Sequence, residues 1–139
     1  MINNVDNLEQ LKYIIEKEPR VVVLDFYANW CTPCVLLTPL LIDMEKYYKN
    51  KCLVIQINVE RYFKIADAFN ITAMPTIMFF YNNTFWKELT LTGAEIGTIY
   101  ENVNILLTMH NDGEPKLKKD IRNNPKVSLD SYDYNKNNS

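Results

Sequence analysis

The sequence predicts an α/β protein in which a central mixed β-sheet is flanked by helices on both faces. Three observations carry this reading. Residues 21–27 and 52–59 are almost continuously apolar, as in strands buried on both faces. A segment of helical period follows each run, which favours parallel pairing of the two strands. After Pro75 two strand-like stretches flank Asn82-Asn83-Thr84, the pattern of an antiparallel hairpin.

The elements follow in order. Asp6-Asn7-Leu8-Glu9 has the form of a helix start, an Asx cap with a Glu three residues on. Leu8, Leu11, Ile14 and Ile15 then share one helical face, and Pro19 ends the helix. Residues 21–27 form the central strand. A helix runs over 31–48 with Leu37, Leu41, Met44 and Tyr48 on its inner face. Pro33 suits its first turn, whereas Pro39 should kink its interior. The next strand covers 52–59, and Tyr62, Ile65, Ala66 and Phe69 mark a short helix. The hairpin pairs a strand over 76–81 with one over 85–91. Ile96, Ile99, Tyr100, Val103 and Leu107 give a closing helix. The chain has few Gly and many Asn, and Asn82-Asn83 stands where a turn often carries Gly; Asn tolerates positive φ.

Composition narrows the function. A chain of 139 residues with 47% apolar content suits one compact domain. A net charge of −2 gives no electrostatic reason to expect nucleic acid. No apolar run reaches the roughly 20 residues that span a bilayer, so no membrane span is expected. The polar first ten residues lack a signal-peptide core, and three cysteines are too few for a disulfide scaffold. A reducing, cytoplasmic setting is the expectation, for a chain acting as a monomer. Residues 1–110 read as the folded domain. Residues 111–139 read as a polar tail, mostly disordered, although Leu117 and Ile121 fit one helical turn.

The chemistry centres on Trp30-Cys31-Thr32-Pro33-Cys34, where the central strand delivers two thiols to the first turn of a helix. Unpaired N–H groups and the helix dipole favour a thiolate there. A zinc site needs about four ligands, and the chain adds only Cys52 and His110, far apart in sequence. A purely structural bridge across so short a loop stabilises little. A reversible redox pair remains. Cys31 comes first and is expected to be the exposed, nucleophilic sulfur; Cys34 lies a turn deeper and would resolve the mixed disulfide. Asp25 is the one acid in an apolar strand. Either it serves the chemistry or it faces solvent at the strand end. Trp30 is either contact surface or core. Cys52 reads as a core thiol, and His110 as a solvated helix-end residue.

These residues resemble the thioredoxin family. Asp25-Phe26-Tyr27-Ala28 with Trp30-Cys31-x-Pro33-Cys34 is similar to its strand end and active-site motif, and Met74-Pro75-Thr76 to its cis-proline loop. Pro39 sits where the family kinks its active-site helix, and Gly93-Ala94 resembles the pair ending its last strand. The likeness covers residues 1–109. It implies the thioredoxin fold, with a brief edge strand over 1–5. It implies that Asp25 is buried beneath Cys34 and exchanges its proton. Burial should then raise the Asp25 pKa. Met74 and Pro75 would line a substrate surface together with Trp30, Thr32, Pro33 and Gly93. Thr32 replaces the family's commonest Gly, Val35 the Lys after the second cysteine, and Gln56 the Lys near the buried acid.

The resemblance implies a thiol–disulfide oxidoreductase that reduces disulfide-containing client proteins. It would bind no cofactor. With no Gly-rich nucleotide fingerprint, it would be recharged by a separate thioredoxin reductase, itself NADPH-dependent. The alternative is a thioredoxin-fold adaptor subunit of a larger assembly, with redox turnover secondary and the tail as its handle. An oxidase or isomerase ranks third, because Pro33 beside Cys34 is reductase-like.

Overall fold

The computed structural model describes residues 1–112 and 127–128, with side chains described up to Met109. Strand β1 (Val21–Tyr27) sits between β2 (Cys52–Asn58), its parallel partner, and β3 (Thr76–Tyr81), its antiparallel one. Beyond β3 lie β4 (Thr84–Phe85) and β5 (Leu91–Thr92), both antiparallel to it. β6 (Val127–Ser128) pairs with β4. The sheet is therefore mixed, as the sequence implied, and its order is β2-β1-β3-β4-β6.

Among the described residues, four α-helices cover it: α1 (Leu8–Lys17), α2 (Thr32–Tyr48), α3 (Phe63–Ala68) and α4 (Ile96–Asp112). Alternation along β1 divides its side chains between two cores. Val21 and Val23 pack with Leu37, Leu41 and Met44 of α2 and Ile99, Val103 and Leu106 of α4. Val22, Leu24 and Phe26 pack with Leu11 and Ile15 of α1, Ile65 of α3 and Phe69 at its end. Helices thus lie on both faces, and β1 is dry on each.

Local chemistry explains the ends. Asn7 caps α1 by accepting the Gln10 N–H at 2.9 Å, and the chain turns extended at Glu18, just before Pro19. Asn82 and Asn83 both take positive φ, 54° and 55°, and so form the hairpin turn that Gly would otherwise supply. Pro39 lies inside α2, which continues to Tyr48.

Two expectations need correction. The strand expected over 85–91 is broken into β4 and β5 by a 3-10 turn at Lys87–Leu89. Trp86 and Leu89 are both buried, and a spacing of three turns both inward only in a helical turn. β4 and β5 still lie along one edge of β3, beside opposite ends of it. The brief strand expected over 1–5 is reduced to a single parallel bridge between Ile2 and Ile55. The expected disordered tail falls outside the described residues, apart from the end of α4 and the two residues of β6.

The two cores predict where stability resides. Phe26 is fully buried, its ring 5.4 Å from that of Phe69. Phe26→Ala is expected to lower unfolding free energy by about 3–5 kcal/mol, read from the urea midpoint at unchanged slope.

Candidate active site

β1 ends at Tyr27, and five residues later, at Thr32, the chain enters α2. Cys31 is the N-cap of that helix: its Sγ accepts the Cys34 backbone N–H at 3.3 Å. A sulfur thus does the work that a Ser or Asp oxygen commonly does, satisfying a donor that the helix cannot pair internally. Cys31 and Cys34 are bonded as a disulfide, with Cα atoms 5.3 Å apart.

The pair is packed among Ala28, Tyr27, Val59 and Met74. Cys34 is wholly buried. Cys31, expected to be exposed, is only 6% exposed. Its sulfur is turned in toward Cys34 and lies 3.8 Å from the Met74 carbonyl oxygen, which covers it from the facing loop. The expected order of access survives, but both cysteines are buried.

The facing loop is held from below. The Met74–Pro75 bond is cis, and Pro75 is buried. The Gly93 N–H donates to the Pro75 carbonyl at 2.8 Å, with Gly93 at φ +108°, a conformation other residues rarely adopt. Trp30 is 67% exposed, which overturns its reading as core packing. Thr32 and Pro33 are exposed, and Met74 and Gly93 half-buried.

Asp25 is fully buried, so it does not face solvent at the strand end. It shares the face of β1 that carries Val21 and Val23, the face α2 covers. Burial pushes its carboxyl up to about 6, and a hydrogen bond from Gln56 holds it back part of the way. That bond runs from Gln56 Nε2 to Asp25 Oδ2 at 3.0 Å, while Oδ1 is buried without a partner. The same Nε2 donates to Thr38 Oγ1 at 3.1 Å, and Thr38 Oγ1 donates to the Cys34 carbonyl at 3.3 Å. The acid and the second cysteine are therefore joined through β2 and α2.

Three of these residues escaped sequence reasoning. Val59 packs on the pair from just past β2, and Thr38 and Asn3 join the Gln56 network. Thr38 carried a usable signal, since it stands four residues after Cys34 on one helix face. Asn3 carried none. Cys52 is a buried free thiol pushed up to about 12 by burial, which suits its reading as core. His110 lies in α4, its side chain outside the described residues. Among the described residues, no three His, Cys, Asp or Glu side chains group where a metal ion could be held, and no helix is long and apolar enough to cross a membrane.

The residue pattern of the thioredoxin family matches residues 3–104. The chain belongs to the thioredoxin family. It is 38% identical to the thioredoxin of Rickettsia felis over 82 residues, 59% of this chain and 77% of that one. It is 36% identical to Thioredoxin-T of Drosophila melanogaster over 78 residues, 56% of this chain but only 48% of that longer one. The solved thioredoxin of Plasmodium falciparum superposes with a TM-score of 0.66 at 27% identity, covering 75% of this chain and 97% of that one. A thioredoxin of Fasciola hepatica gives the same TM-score at 26% identity, with the same shares covered. The fold is thus the thioredoxin fold. Thioredoxins are protein disulfide oxidoreductases, and the bonded Cys31–Cys34 pair fits that chemistry.

The raised Asp25 pKa has a sign that stability should follow. The folded state holds this proton more tightly than the unfolded chain, whose carboxyl titrates near 3.8. Asp25 therefore contributes fully below that value, and its contribution is lost as pH rises through about 6. Above that, the buried carboxylate costs up to about 3 kcal/mol. Asp25→Asn, which cannot ionise, is expected to be more stable than the native chain at alkaline pH by up to that amount. The advantage should vanish in acid, as urea denaturation at the two extremes would read.

Proposed function

We propose that this chain reduces disulfides in client proteins by dithiol–disulfide exchange. The observation that carries the reading is the cap of α2: the Cys31 sulfur receives a helix N–H and is bonded to Cys34. A thiolate accepts such a bond more strongly than a neutral sulfur, so the helix end favours the ionised, attacking form.

Cys31 is the nucleophile. Its thiolate attacks one client sulfur, forming a mixed disulfide and expelling the other client sulfur as a thiolate that takes a proton from water. Cys34 then gives its proton to Asp25, and its sulfur attacks Cys31. The Cys31–Cys34 bond forms, the bond to the client breaks, and the second client thiolate leaves. Two electrons pass from the pair to the client. Resolution is fast because both sulfurs belong to one helix end.

The exposed Trp30, Thr32 and Pro33, with Met74 and Gly93 opposite, form the surface on which an extended client segment lies. Pro75 supports that surface from within. A separate reductase, supplied with electrons by NADPH, returns two electrons to the pair. A reducing setting such as the cytoplasm suits this direction of flow, and the small number of cysteines supports it.

Insulin reduction coupled to a thioredoxin reductase and NADPH tests the scheme. Cys31→Ser is expected to fall to the uncatalysed rate. Cys34→Ser should lose turnover yet accumulate a mixed disulfide through Cys31, visible by mass spectrometry. Turnover by Cys31→Ser at the native rate would overturn the assignment.

A further inference from the structure

We propose that Thr38, on α2, is a positioning residue for the buried acid: its one hydroxyl hydrogen is committed to the Cys34 carbonyl, so it meets Gln56 only as an acceptor and holds the amide donor toward Asp25. The inference rests on the reading of Asp25 as the proton acceptor for Cys34.

A glutamine amide has a donor end and an acceptor end of nearly the same shape. Gln56 Nε2 donates to Asp25 Oδ2 at 3.0 Å and to Thr38 Oγ1 at 3.1 Å. An ionised carboxylate only accepts, and so selects the donor end by itself. A protonated carboxyl carries a hydrogen and can meet either end. While Asp25 holds its proton, the choice passes to the other partners of the amide. At the far end Oε1 accepts from Asn3 Nδ2 at 2.8 Å, but Asn3 is an exposed amide that can turn over together with Gln56. That end decides nothing.

Thr38 does decide. A hydroxyl has one hydrogen, and that of Thr38 goes to the Cys34 carbonyl at 3.3 Å, one turn back along α2. Its lone pairs are what remain for Gln56. A reversed amide would set Oε1 against a hydroxyl oxygen with no hydrogen to give, or would draw that hydrogen away from Cys34. Either way the network holds one bond fewer. The side chain is itself held. It is β-branched and half-buried, on a helix whose Leu37 and Leu41 lie in the core.

A reversed amide would accept the carboxyl hydrogen at Oε1, a bond open only to the protonated acid. By excluding that bond, Thr38 lets Asp25 give up its proton at lower pH and so serve as base for Cys34. Across the sheet the neighbours of Asp25 are Gln56 on β2 and Ile77 on β3, both uncharged. On its face, α2 presents Cys34, Leu37, Thr38 and Leu41, and α4 presents Ile99 and Val103. Cys34 is the titratable group among them, and in the oxidised pair it has no proton to exchange. Tyr27 lies further along the same strand, and Cys52 and Tyr48 pack with Val21 at the other end of that face. Glu45 of α2 is paired with the Met1 ammonium. Burial raises the proton affinity of Asp25, and the Gln56 bond alone opposes it.

The test is a titration of the Asp25 carboxyl carbon by NMR in the full oxidised chain, with a thermal melt of each variant beside it. Thr38→Val keeps the branched shape and removes the hydroxyl. It is expected to move the Asp25 midpoint upward by roughly half a pH unit, the share of one weak hydrogen bond. Thr38→Ala, a better helix former, should move it the same way. Thr38→Ser, which keeps the hydroxyl, should restore the native midpoint. In a Gln56→Leu background Thr38→Val adds no further shift, because Thr38 acts only through Gln56. A merely structural role would lower the melting temperature and leave the midpoint where it was, and a drier site alone would shift it in both backgrounds. An unmoved midpoint in Thr38→Val and Thr38→Ala, a shift that Thr38→Ser shares, or one that persists beside Gln56→Leu overturns the inference. Insulin turnover by Asp25→Asn reads the underlying assignment separately: native turnover there would sink Asp25 as proton acceptor, whatever Thr38 does to its titration.

Discussion

The structure depends on a strand with no wet face. β1 is bonded on both edges and covered on both sides, so each of its residues from Val21 to Phe26 is buried. That burial fixes the register of β2 and β3, because a slip of one residue would exchange the two cores. It also decides what a carboxyl in the strand must be. Asp25 has no route to water, so it meets the cost of desolvation by holding its proton and by taking one N–H from Gln56. The acid is perturbed because of where it sits in the sheet, before any chemistry is asked of it.

The same strand aims the thiols. Its C-terminal end leads within five residues to the first turn of α2, where unpaired N–H groups wait for an acceptor. Cys31 supplies one. The cap is formed here by the bonded sulfur, and a thiolate at the same place would accept the N–H more strongly. Val35 and Gln56 stand where the family commonly has lysines, and neither adds positive charge to that effect. Stabilisation of the thiolate is left to backbone dipoles, which are fixed by the fold.

Much of this was legible in the chain. Periodicity placed β1, β2 and the helices because their apolar residues face fixed cores at fixed spacing. Asn82-Asn83 could be read as a turn because few other residues take positive φ twice in succession. The edge was less legible. Phe85-Trp86 and Leu89 carry enough apolar character for a strand, but Trp86 and Leu89 are three apart and fold inward together. The burial of Cys31 was hidden because its cover, Met74, is distant in sequence. Asn3 was invisible for a related reason, and Thr38 offered only its spacing from Cys34: the folded sheet brings them to opposite sides of Gln56.

Those two residues also show how a neutral side chain can stand where a charged one is common. A lysine would attract the carboxylate whichever way its chain lay, since an ammonium has no acceptor end. A glutamine has one, so its effect on Asp25 has a sign that depends on orientation. Replacing charge with an amide therefore moves the problem from electrostatics to geometry. The solution must come from outside the pair. Thr38 favours one orientation, because its one hydroxyl hydrogen goes to the Cys34 carbonyl and its oxygen accepts from Gln56 Nε2. A further donor, Asn3, lies on the far side of Gln56, brought there by the parallel bridge of Ile2 to β2. The first residues of the chain, which also give Val5 to one core, thus touch the same constraint as the buried strand: Asn3 bonds the glutamine that bonds the carboxyl.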